Sequence, residues 1–491
     1  MAAASQQAEY TQEVRFAVVM YGGVSLAIYI NGIAQELLRI VRSTSASRPD
    51  AQGNPNGTPV PADKLTGTER VYRRLSTLLS DPQLLKQFRE SLDAPAQSVP
   101  NANVPKSPDI VDQRLADNIV NTRFVVDVLS GTSAGGINAI YLAKALANDQ
   151  NLDELKTLWV NEGDIALLLN DKRSVAGLRL TNQQPPQSLL NSRRMYFKLL
   201  TAFQDMEKGR KSAQNFVSPH VEELDLFITT TDLEGMLVPL RLSDTVVYER
   251  RHRNVFHFKY ATPEATGMER NDFLEGNDPF LAFAARCTSS FPFAFEPMRL
   301  ADIEEVLDRF PEYGNKTARE AMLKQWNAFF KNYKNAFNGK PVVVDNRSFS
   351  DGGILDNKPF TFATDTLMRR EAPLAVDRKL IYIEPSPEHP EDEPPRTGRY
   401  QALENVKAAL LDLPSYETIR EDLQRVIDRN ELIKRVQRIT AAVERDLDRA
   451  NEERIHIPAD DWAKLDLAGM VDRFGIYYIP YRRLRISSTT D

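Results

Sequence analysis

The sequence is poor in the residues that build disulfides, metal centres and histidine-based active sites. Its 491 residues include a single cysteine, Cys287, and only five histidines. One cysteine excludes an intramolecular disulfide and a cysteine zinc cluster, and no H-x-x-x-H or H-E-x-x-H spacing supports a metal. We therefore expect a protein of a reducing compartment that works without a metal or another cofactor.

Long apolar runs and an excess of basic charge are missing as well. The apolar stretch at residues 24–30 is far too short to span a bilayer. Residues 1–14 have neither the basic start nor the apolar core of a signal peptide. The net charge of −6 argues against general nucleic-acid binding, which favours a basic surface. These absences predict a cytoplasmic protein that contacts membranes only peripherally and binds no nucleic acid.

What the sequence does contain is an alternation of segments typical of strands and helices. Short apolar runs predict strands at residues 14–20, 126–129, 224–233, 237–247, 254–260, 342–344 and 379–385. Helical patterns occur at residues 26–41, 67–92, 151–218 and 301–338. This alternation predicts an α/β fold with a largely parallel sheet.

Composition marks two further regions. Residues 43–65 are rich in Ser, Pro, Gly and Asn, which predicts a flexible surface insertion. Residues 401–451 are rich in charge and carry apolar residues at roughly helical spacing, which predicts one or two long amphipathic helices. We expect these helices to pack on the main body, and a coiled coil with a partner is the alternative.

A serine lies between two glycines where a predicted strand turns into a helix. Gly131, Ser133 and Gly135 form the pattern G-x-S-x-G, which is typical of a nucleophile elbow. The amides of the first helical turn would face a developing oxyanion, and the helix dipole would add to that field. The alternative is an ordinary Gly/Ser turn before a helix. A phosphate-binding loop is less suitable because no Gly-Lys-Ser/Thr follows.

Two more glycine-rich turns follow predicted strands. Asp351 precedes Gly352 and Gly353, so its carboxylate is a candidate to accept the serine proton directly, although an Asp-Gly turn is common. Gly22 and Gly23 separate a strand from a helix, and two amides there would line an anion site. In an open α/β sheet such strand ends converge on the edge where ligands bind.

The histidines offer no clear partner for the serine. A conventional triad needs an imidazole held by a carboxylate. His220, His252, His257, His389 and His456 do not stand at glycine-rich strand ends. A triad nevertheless stays open as an alternative, and it would require a histidine near Ser133.

These motifs resemble the patatin-like phospholipase family. They occur in the family's order over residues 14–390: the glycine-rich loop, the GTSAGG elbow and the DGG motif. Residues 230–235 resemble the family's central strand and turn, and residues 284–298 resemble its segment ending in Phe-Pro. Residues 22–37 and the C-terminal helices are most similar to a bacterial patatin-related subgroup.

The resemblance implies a three-layer α/β/α fold with a mainly parallel sheet. Residues 1–395 would form the acyl hydrolase domain, and residues 396–491 would form a mainly helical extension. The implied activity is hydrolysis of lipid or phospholipid acyl esters, of phospholipase A or lysophospholipase type, without a cofactor. Ser133 would be the nucleophile and Asp351 the base of a Ser–Asp dyad.

The oxyanion loop is where the sequence departs from the family. The resemblance implies that Gly22 and Gly23 supply oxyanion amides, but the family's third glycine and basic residue are replaced within residues 24–27. That departure leaves the headgroup preference open. It also leaves open a different class of function, a lipid-binding or regulatory protein of this fold with weak or absent catalysis. The sequence names no protein partner.

One more expectation concerns the acyl chain. We expect an apolar pocket beside Ser133 whose walls come from residues 284–298 and 151–218. The first segment supplies four large apolar side chains, and their burial in a filled core is the alternative. These residues are Phe291, Phe293, Phe295 and Met298.

Overall fold

The protein is described from a computed structural model. It describes residues 10–23, 27–45, 59–93, 119–162, 165–181, 185–208, 216–330, 344–371, 374–384, 419–452 and 478–489, with the single residues 333, 401, 466, 468 and 475. They belong to two compact units, Met1–Glu417 and Thr418–Asp491. Each unit is described separately.

The first unit contains a seven-stranded mixed sheet with helices on both sides. Its strands are β1 (Gln12–Met20), β2 (Thr122–Gly131), β3 (Glu223–Arg241), β4 (Val246–Ala261), β5 (Arg270–Asn271), β6 (Phe349–Asp351) and β7 (Ala375–Ile383).

The strand order is β5-β4-β3-β2-β1-β7, and β6 pairs with β3 outside this path. β7, β1, β2 and β3 are mutually parallel, whereas β4 and β6 run antiparallel to β3. The sheet is therefore mostly parallel, and the three-layer α/β/α architecture predicted from the sequence is confirmed.

Helices cover the two faces of this sheet. The helices are α1 (Ala27–Thr44), α2 (Glu69–Leu79), α3 (Pro82–Asp93), α4 (Ser133–Asn148), α5 (Asp153–Glu162), α6 (Ile165–Leu168), α7 (Ser192–Lys208), α8 (Pro263–Thr266), α9 (Asp278–Thr288), α10 (Glu304–Leu307), α11 (Lys316–Trp326) and α12 (Phe360–Arg369). Short 3₁₀ turns occur at Ala62–Lys64, Glu275–Asn277, Leu300–Ile303, Pro311–Tyr313 and Gly352–Ile354.

The centre of the core is the β2–α4 unit. Every residue of β2 is buried, as expected for a central parallel strand covered on both faces. Every residue of α4 is buried too, because its apolar and small residues surround the whole helix. The turn between them therefore lies in a rigid part of the molecule, and it carries Ser133.

The strands predicted at residues 14–20, 126–129, 224–233 and 254–260 are confirmed as parts of β1, β2, β3 and β4. The prediction of one strand over residues 237–247 is wrong. This apolar run covers both arms of the β3–β4 hairpin, and Leu242 N–H donates to the Thr245 carbonyl at its turn.

The helix prediction for residues 301–338 is also wrong in part. Pro311 and Gly314 interrupt it, so that α10, a 3₁₀ turn and α11 replace one long helix. Residues 46–58 of the predicted insertion lie outside the described residues, as do residues 342–343 of a predicted strand.

The second unit contains two described helices, α13 (Arg420–Glu452) and α14 (Tyr478–Thr489). α13 confirms the amphipathic helix predicted within residues 401–451, although residues 402–418 lie outside the described part. Arg483 of α14 donates to Asp446 of α13 at 2.7 Å. Among the helices described in either unit, none has the length and apolar character needed to cross a membrane.

Candidate active site

The turn between β2 and α4 holds Ser133 in a strained conformation. Its φ is 53°, a left-handed value that costs free energy for any residue except glycine. Ser133 N–H donates to Thr288 Oγ1 at 2.9 Å, which helps to hold this conformation. A Cβ on Gly135 would lie 2.4 Å from the Met20 carbonyl oxygen, so only glycine permits the close approach of β1 to the turn. The geometry is that of a nucleophile elbow.

The register of the sheet brings Asp351 to the same place. The last residue of β2, Gly131, pairs with Ile228 of β3. β6 pairs with the same edge of β3 slightly further on, where Asp351 is opposite Thr230. Because β6 continues along β3 where β2 has ended, it delivers Asp351 beside the turn that carries Ser133.

The backbone of Asp351 is fixed on both sides. Its N–H donates to the Ser290 carbonyl at 3.1 Å, and its own carbonyl accepts a hydrogen bond from Thr231 Oγ1 at 2.8 Å. Its Oδ1 accepts from Gly353 N–H at 2.7 Å. The DGG turn thus orients the carboxylate through its own backbone.

The carboxyl of Asp351 is buried, and its other oxygen is left available. Burial raises the pKa of Asp351 to about 7, although Gly353 N–H, the Ser133 hydroxyl and the charge of Arg286 each lower it. Oδ2 makes no full hydrogen bond to any residue in the described ranges. Ser133 is thus close enough to affect this carboxyl, while the contact is looser than a standard hydrogen bond, as is common without substrate.

Gly22 borders Ser133, whereas Gly23 is more open. A Cβ on Gly22 would lie 3.0 Å from Ser133 Cβ and 2.6 Å from Asn357 Oδ1. A Cβ on Gly23 would have nothing within 4 Å. Two predicted parts of the site, the β1 turn and the elbow, are therefore in contact. Ser133 N–H, the first amide of α4, is occupied by Thr288 Oγ1, so an anion would face the next two amides, which have no partner within the helix.

The segment after the DGG motif crosses the end of β2. Thr132 Oγ1 donates to the Asp356 carbonyl at 2.9 Å, and Ser130 Oγ donates to the Pro359 carbonyl at 2.8 Å. Asn357 lies between these two anchors and is 8% exposed. This segment was not among the site residues predicted from the sequence, although a polar residue follows Gly352-Gly353 closely enough to have indicated it.

Arg286, also missed from the sequence, is a buried cation near the site. Its guanidinium donates to Ser192 Oγ at 2.6 Å and to Ser289 Oγ at 2.9 Å, and it lies 4.3 Å from the centre of the Phe295 ring. Burial lowers the pKa of Arg286 to about 10. Its charge acts on Asp351 without a direct ion pair.

The three described histidines bond elsewhere. His220 contacts Ser45 Oγ at 2.8 Å and Asp149 Oδ1 at 3.1 Å. His257 contacts Asp225 Oδ1 at 2.6 Å, and His252 contacts the Asp232 carbonyl at 2.8 Å. None of them contacts Ser133, while His389 and His456 lie outside the described residues.

The four apolar residues expected near the acyl chain divide into two pairs. Phe295 and Met298 are buried in the core, whereas Phe291 is 43% and Phe293 is 82% exposed. A cavity of about 260 Å³ lies between α7 and the segment that contains Met298, and its lining does not include Ser133. The predicted acyl pocket beside Ser133 stays a prediction.

Comparison with known proteins supports the assignment of the fold. Residues 120–364 match the family model Patatin-like phospholipase. The "uncharacterized membrane protein Rv3479" of Mycobacterium tuberculosis is 29% identical over 426 residues, covering 85% of this chain and 32% of that protein. The chain thus spans about a third of the length of this curated relative. No solved structure matches the chain.

The family match and the fold agree. The matched residues contain the Ser133 elbow, the central strand β3 and Asp351, in the order in which the sheet brings them together. The chain is a member of the patatin-like phospholipase family through residues 120–364.

Proposed function

We propose that the protein is a lipid acyl hydrolase in which Ser133 is the nucleophile and Asp351 is the general base. The observation that carries this proposal is the buried Asp351 carboxyl beside the strained Ser133, with its pKa raised to about 7. A carboxylate with this pKa is a much better proton acceptor near neutral pH than an ordinary aspartate. No cofactor takes part in the proposed reaction.

The proposed reaction has two steps. Asp351 takes the proton of the Ser133 hydroxyl while Oγ attacks the acyl carbonyl, and the proton then passes to the departing alcohol as the ester bond breaks. Water next attacks the acyl-serine and gives a proton to Asp351, which passes it to Ser133 Oγ as the acyl–oxygen bond breaks and the fatty acid leaves. Gly22 and Gly23, together with the first amides of α4, would hold the oxyanion.

The substrate would be an acyl ester of a lipid, of the phospholipase A or lysophospholipase type. The family match supports a lipid substrate, and the exposed aromatic residues near the site support contact with a lipid surface. Phe293 has a φ of 66°, and its carbonyl accepts a hydrogen bond from Leu189 N–H at 3.0 Å. Leu189 is 60% exposed as well.

The loop that carries Phe291 and Phe293 is close to the proposed base, Asp351. Ser290, which precedes Phe291, accepts the hydrogen bond from Asp351 N–H. A large side chain held outward in a strained conformation suits insertion into a lipid surface. We propose a peripheral contact with membranes at Phe291, Phe293 and Leu189.

The hydrolase proposal is tested with a panel of phospholipids, lysophospholipids and neutral lipid esters. Wild type should release fatty acid from at least one class, and Ser133→Ala should reduce the rate to background because no nucleophile remains. Folding is checked by the circular dichroism of both proteins. If wild type binds lipid vesicles but releases no fatty acid from any class, the lipid-binding alternative replaces the enzyme.

The peripheral contact has its own test. Phe293→Ala should weaken binding to sedimented phosphatidylcholine vesicles by at least about tenfold, because an aromatic side chain that leaves water contributes roughly 1.5–3 kcal/mol. Turnover of a soluble short-chain ester should change little. Met268→Ala is the matched control, since Met268 is 76% exposed on the β4–β5 connection. Equal vesicle binding by all three proteins would contradict the contact.

A further inference from the structure

The side chain of Asn357 is buried in the candidate site without a hydrogen-bond partner in the described part of the protein. It is 8% exposed, and none of the hydrogen bonds described for the chain involves its carboxamide. Its polar atoms are not among the fully enclosed side-chain atoms that lack a partner, so the carboxamide keeps a small opening to solvent. A largely buried amide that is open on one side and has no protein partner is suited to bind a ligand.

The position of this carboxamide is well defined. A Cβ placed on Gly22 would lie 2.6 Å from Asn357 Oδ1, and a Cβ placed on Gly353 would lie 2.9 Å from it. The Cβ placed on Gly22 would also lie 3.0 Å from Ser133 Cβ. The amide of Asn357 therefore lies between the β1 turn and the DGG turn, next to the nucleophile.

The backbone around Asn357 is also held firmly. The Asp356 carbonyl accepts hydrogen bonds from both Thr132 Oγ1 and Thr229 Oγ1, at 2.9 and 3.1 Å. On the other side, the Pro359 carbonyl accepts one from Ser130 Oγ. These bonds attach the residue to the elbow itself, so the amide keeps its place relative to Ser133.

We infer that Asn357 is a further catalytic residue, which donates an N–H of its side chain to the acyl carbonyl oxygen as negative charge develops there. Rotation of the carboxamide by half a turn exchanges Oδ1 and Nδ2, so that the donor can face the substrate. This inference rests on the proposed hydrolase function. It also offers a physical replacement for part of the glycine-rich loop that this sequence lacks within residues 24–27.

The experiment compares Asn357→Ala and Asn357→Asp with wild type on the best lipid substrate. Loss of one oxyanion donor lowers kcat by about 10²–10³-fold with little change in KM. Asn357→Asp should be at least as slow as Asn357→Ala, because a carboxylate accepts but does not donate and repels the oxyanion. A purely structural role predicts the reverse, since aspartate keeps the shape of asparagine.

A second measurement separates donation from packing. A trifluoromethyl ketone analogue forms a charged adduct with serine, and its affinity should fall in parallel with kcat/KM in both variants. The affinity of an uncharged, non-hydrolysable ether analogue should stay within about threefold of wild type. Asn346→Asp, at an exposed asparagine, makes the same chemical change outside the site and should match wild type in both assays.

The outcomes distinguish the two proposals. If both Asn357 variants keep turnover within about threefold of wild type, the role of Asn357 is overturned and the hydrolase proposal is left intact. Equal weakening of both analogues would also overturn it and make Asn357 a packing residue. Absence of hydrolysis by wild type itself would instead remove the proposed function, and the role of Asn357 with it.

Discussion

Two buried aspartates lie along the central strand β3, one in this strand and one in its neighbour β6, and their electrostatic environments are opposite. Asp225 lies near the start of β3. Asp351 is paired with Thr230, which lies seven residues after the first residue of β3. Both side chains are almost fully buried, at 4% and 2% exposure. Their surroundings differ in how cations reach them, because Arg370 bonds directly to Asp225, whereas Arg286 acts on Asp351 only through its charge.

Asp225 is surrounded by positive groups. Burial acts to raise its pKa, but the hydrogen bond from His257 and the charges of Arg370 and Lys259 outweigh burial, so its pKa is lowered. Its Oδ2 also accepts a hydrogen bond from Arg370. Asp225 is therefore ionised throughout the neutral range and acts as part of an ion-pair network.

Asp351 has no ion pair with any residue in the described ranges, and burial raises its pKa to about 7. The difference indicates that burial alone does not raise the pKa of a carboxyl. A buried carboxylate is suited to act as a base where it lacks a direct counter-ion and has an oxygen near a hydroxyl. Asp351 lies beside Ser133, whereas the hydrogen bonds described for the Asp225 carboxylate come from His257 and Arg370.

The pH profile of hydrolysis sharpens this comparison. A base with a pKa of about 7 is ionised above that pH, so kcat/KM should fall about tenfold per pH unit well below it. Between pH 7 and pH 5 the loss would be about 50-fold, because the base is half ionised at pH 7. The measurement is kcat/KM from pH 5 to pH 9 on protein shown to be folded throughout. A rate that stays constant down to pH 5 would mean that the base is already ionised there and would contradict the assignment.

Removing the charge of Asp225 should affect stability instead of chemistry. Asp225→Asn removes the nearest of three carboxylates around Arg370, while those of Asp127 and Glu223 remain at 3.6 and 3.7 Å, so it should cost up to about 3 kcal/mol in the free energy of unfolding. This loss is expected above the ordinary aspartate pKa, where Asp225 is charged, and should shrink as pH falls through the lowered pKa. Denaturant unfolding at pH 7.5 measures it.

The activity of folded Asp225→Asn should stay within about threefold of wild type, because the residue has no role in the proposed reaction. The sign for Asp351 is opposite. Its raised pKa means that ionisation opposes folding as pH rises from about 4 toward 7, so Asp351→Asn should not destabilise the protein at pH 8. Equal destabilisation by the two substitutions would show that both aspartates are structural.

Much of this arrangement could be predicted from the sequence because it is written in local patterns. The apolar runs located β1, β2 and most of β3, and the G-x-S-x-G spacing located the elbow. The approach of Gly352 to β3 likewise needs a glycine, since a Cβ there would lie 2.4 Å from the Thr229 carbonyl oxygen. Positions where only glycine fits leave a signal that one sequence can reveal.

Contacts between distant segments left no such signal. The hydroxyl of Thr288 that accepts from Ser133 N–H is 155 residues away in sequence. The crossing of residues 356–359 over the end of β2 depends on hydrogen bonds to Thr132 and Ser130 that only the folded chain brings together. The exposed position of Phe293 could not be predicted either, because no pattern in the sequence indicates a left-handed φ at a phenylalanine.

The most direct test of the account is the activity of Asp351→Asn measured beside Asp225→Asn. The amide keeps the shape of each carboxylate and removes its charge, so the pair differs only in which aspartate is neutralised. We predict that kcat of folded Asp351→Asn falls by about 10²–10⁴-fold with KM nearly unchanged, whereas folded Asp225→Asn keeps nearly full activity. Near-normal turnover by Asp351→Asn would contradict the central claim that this carboxylate is the base for Ser133.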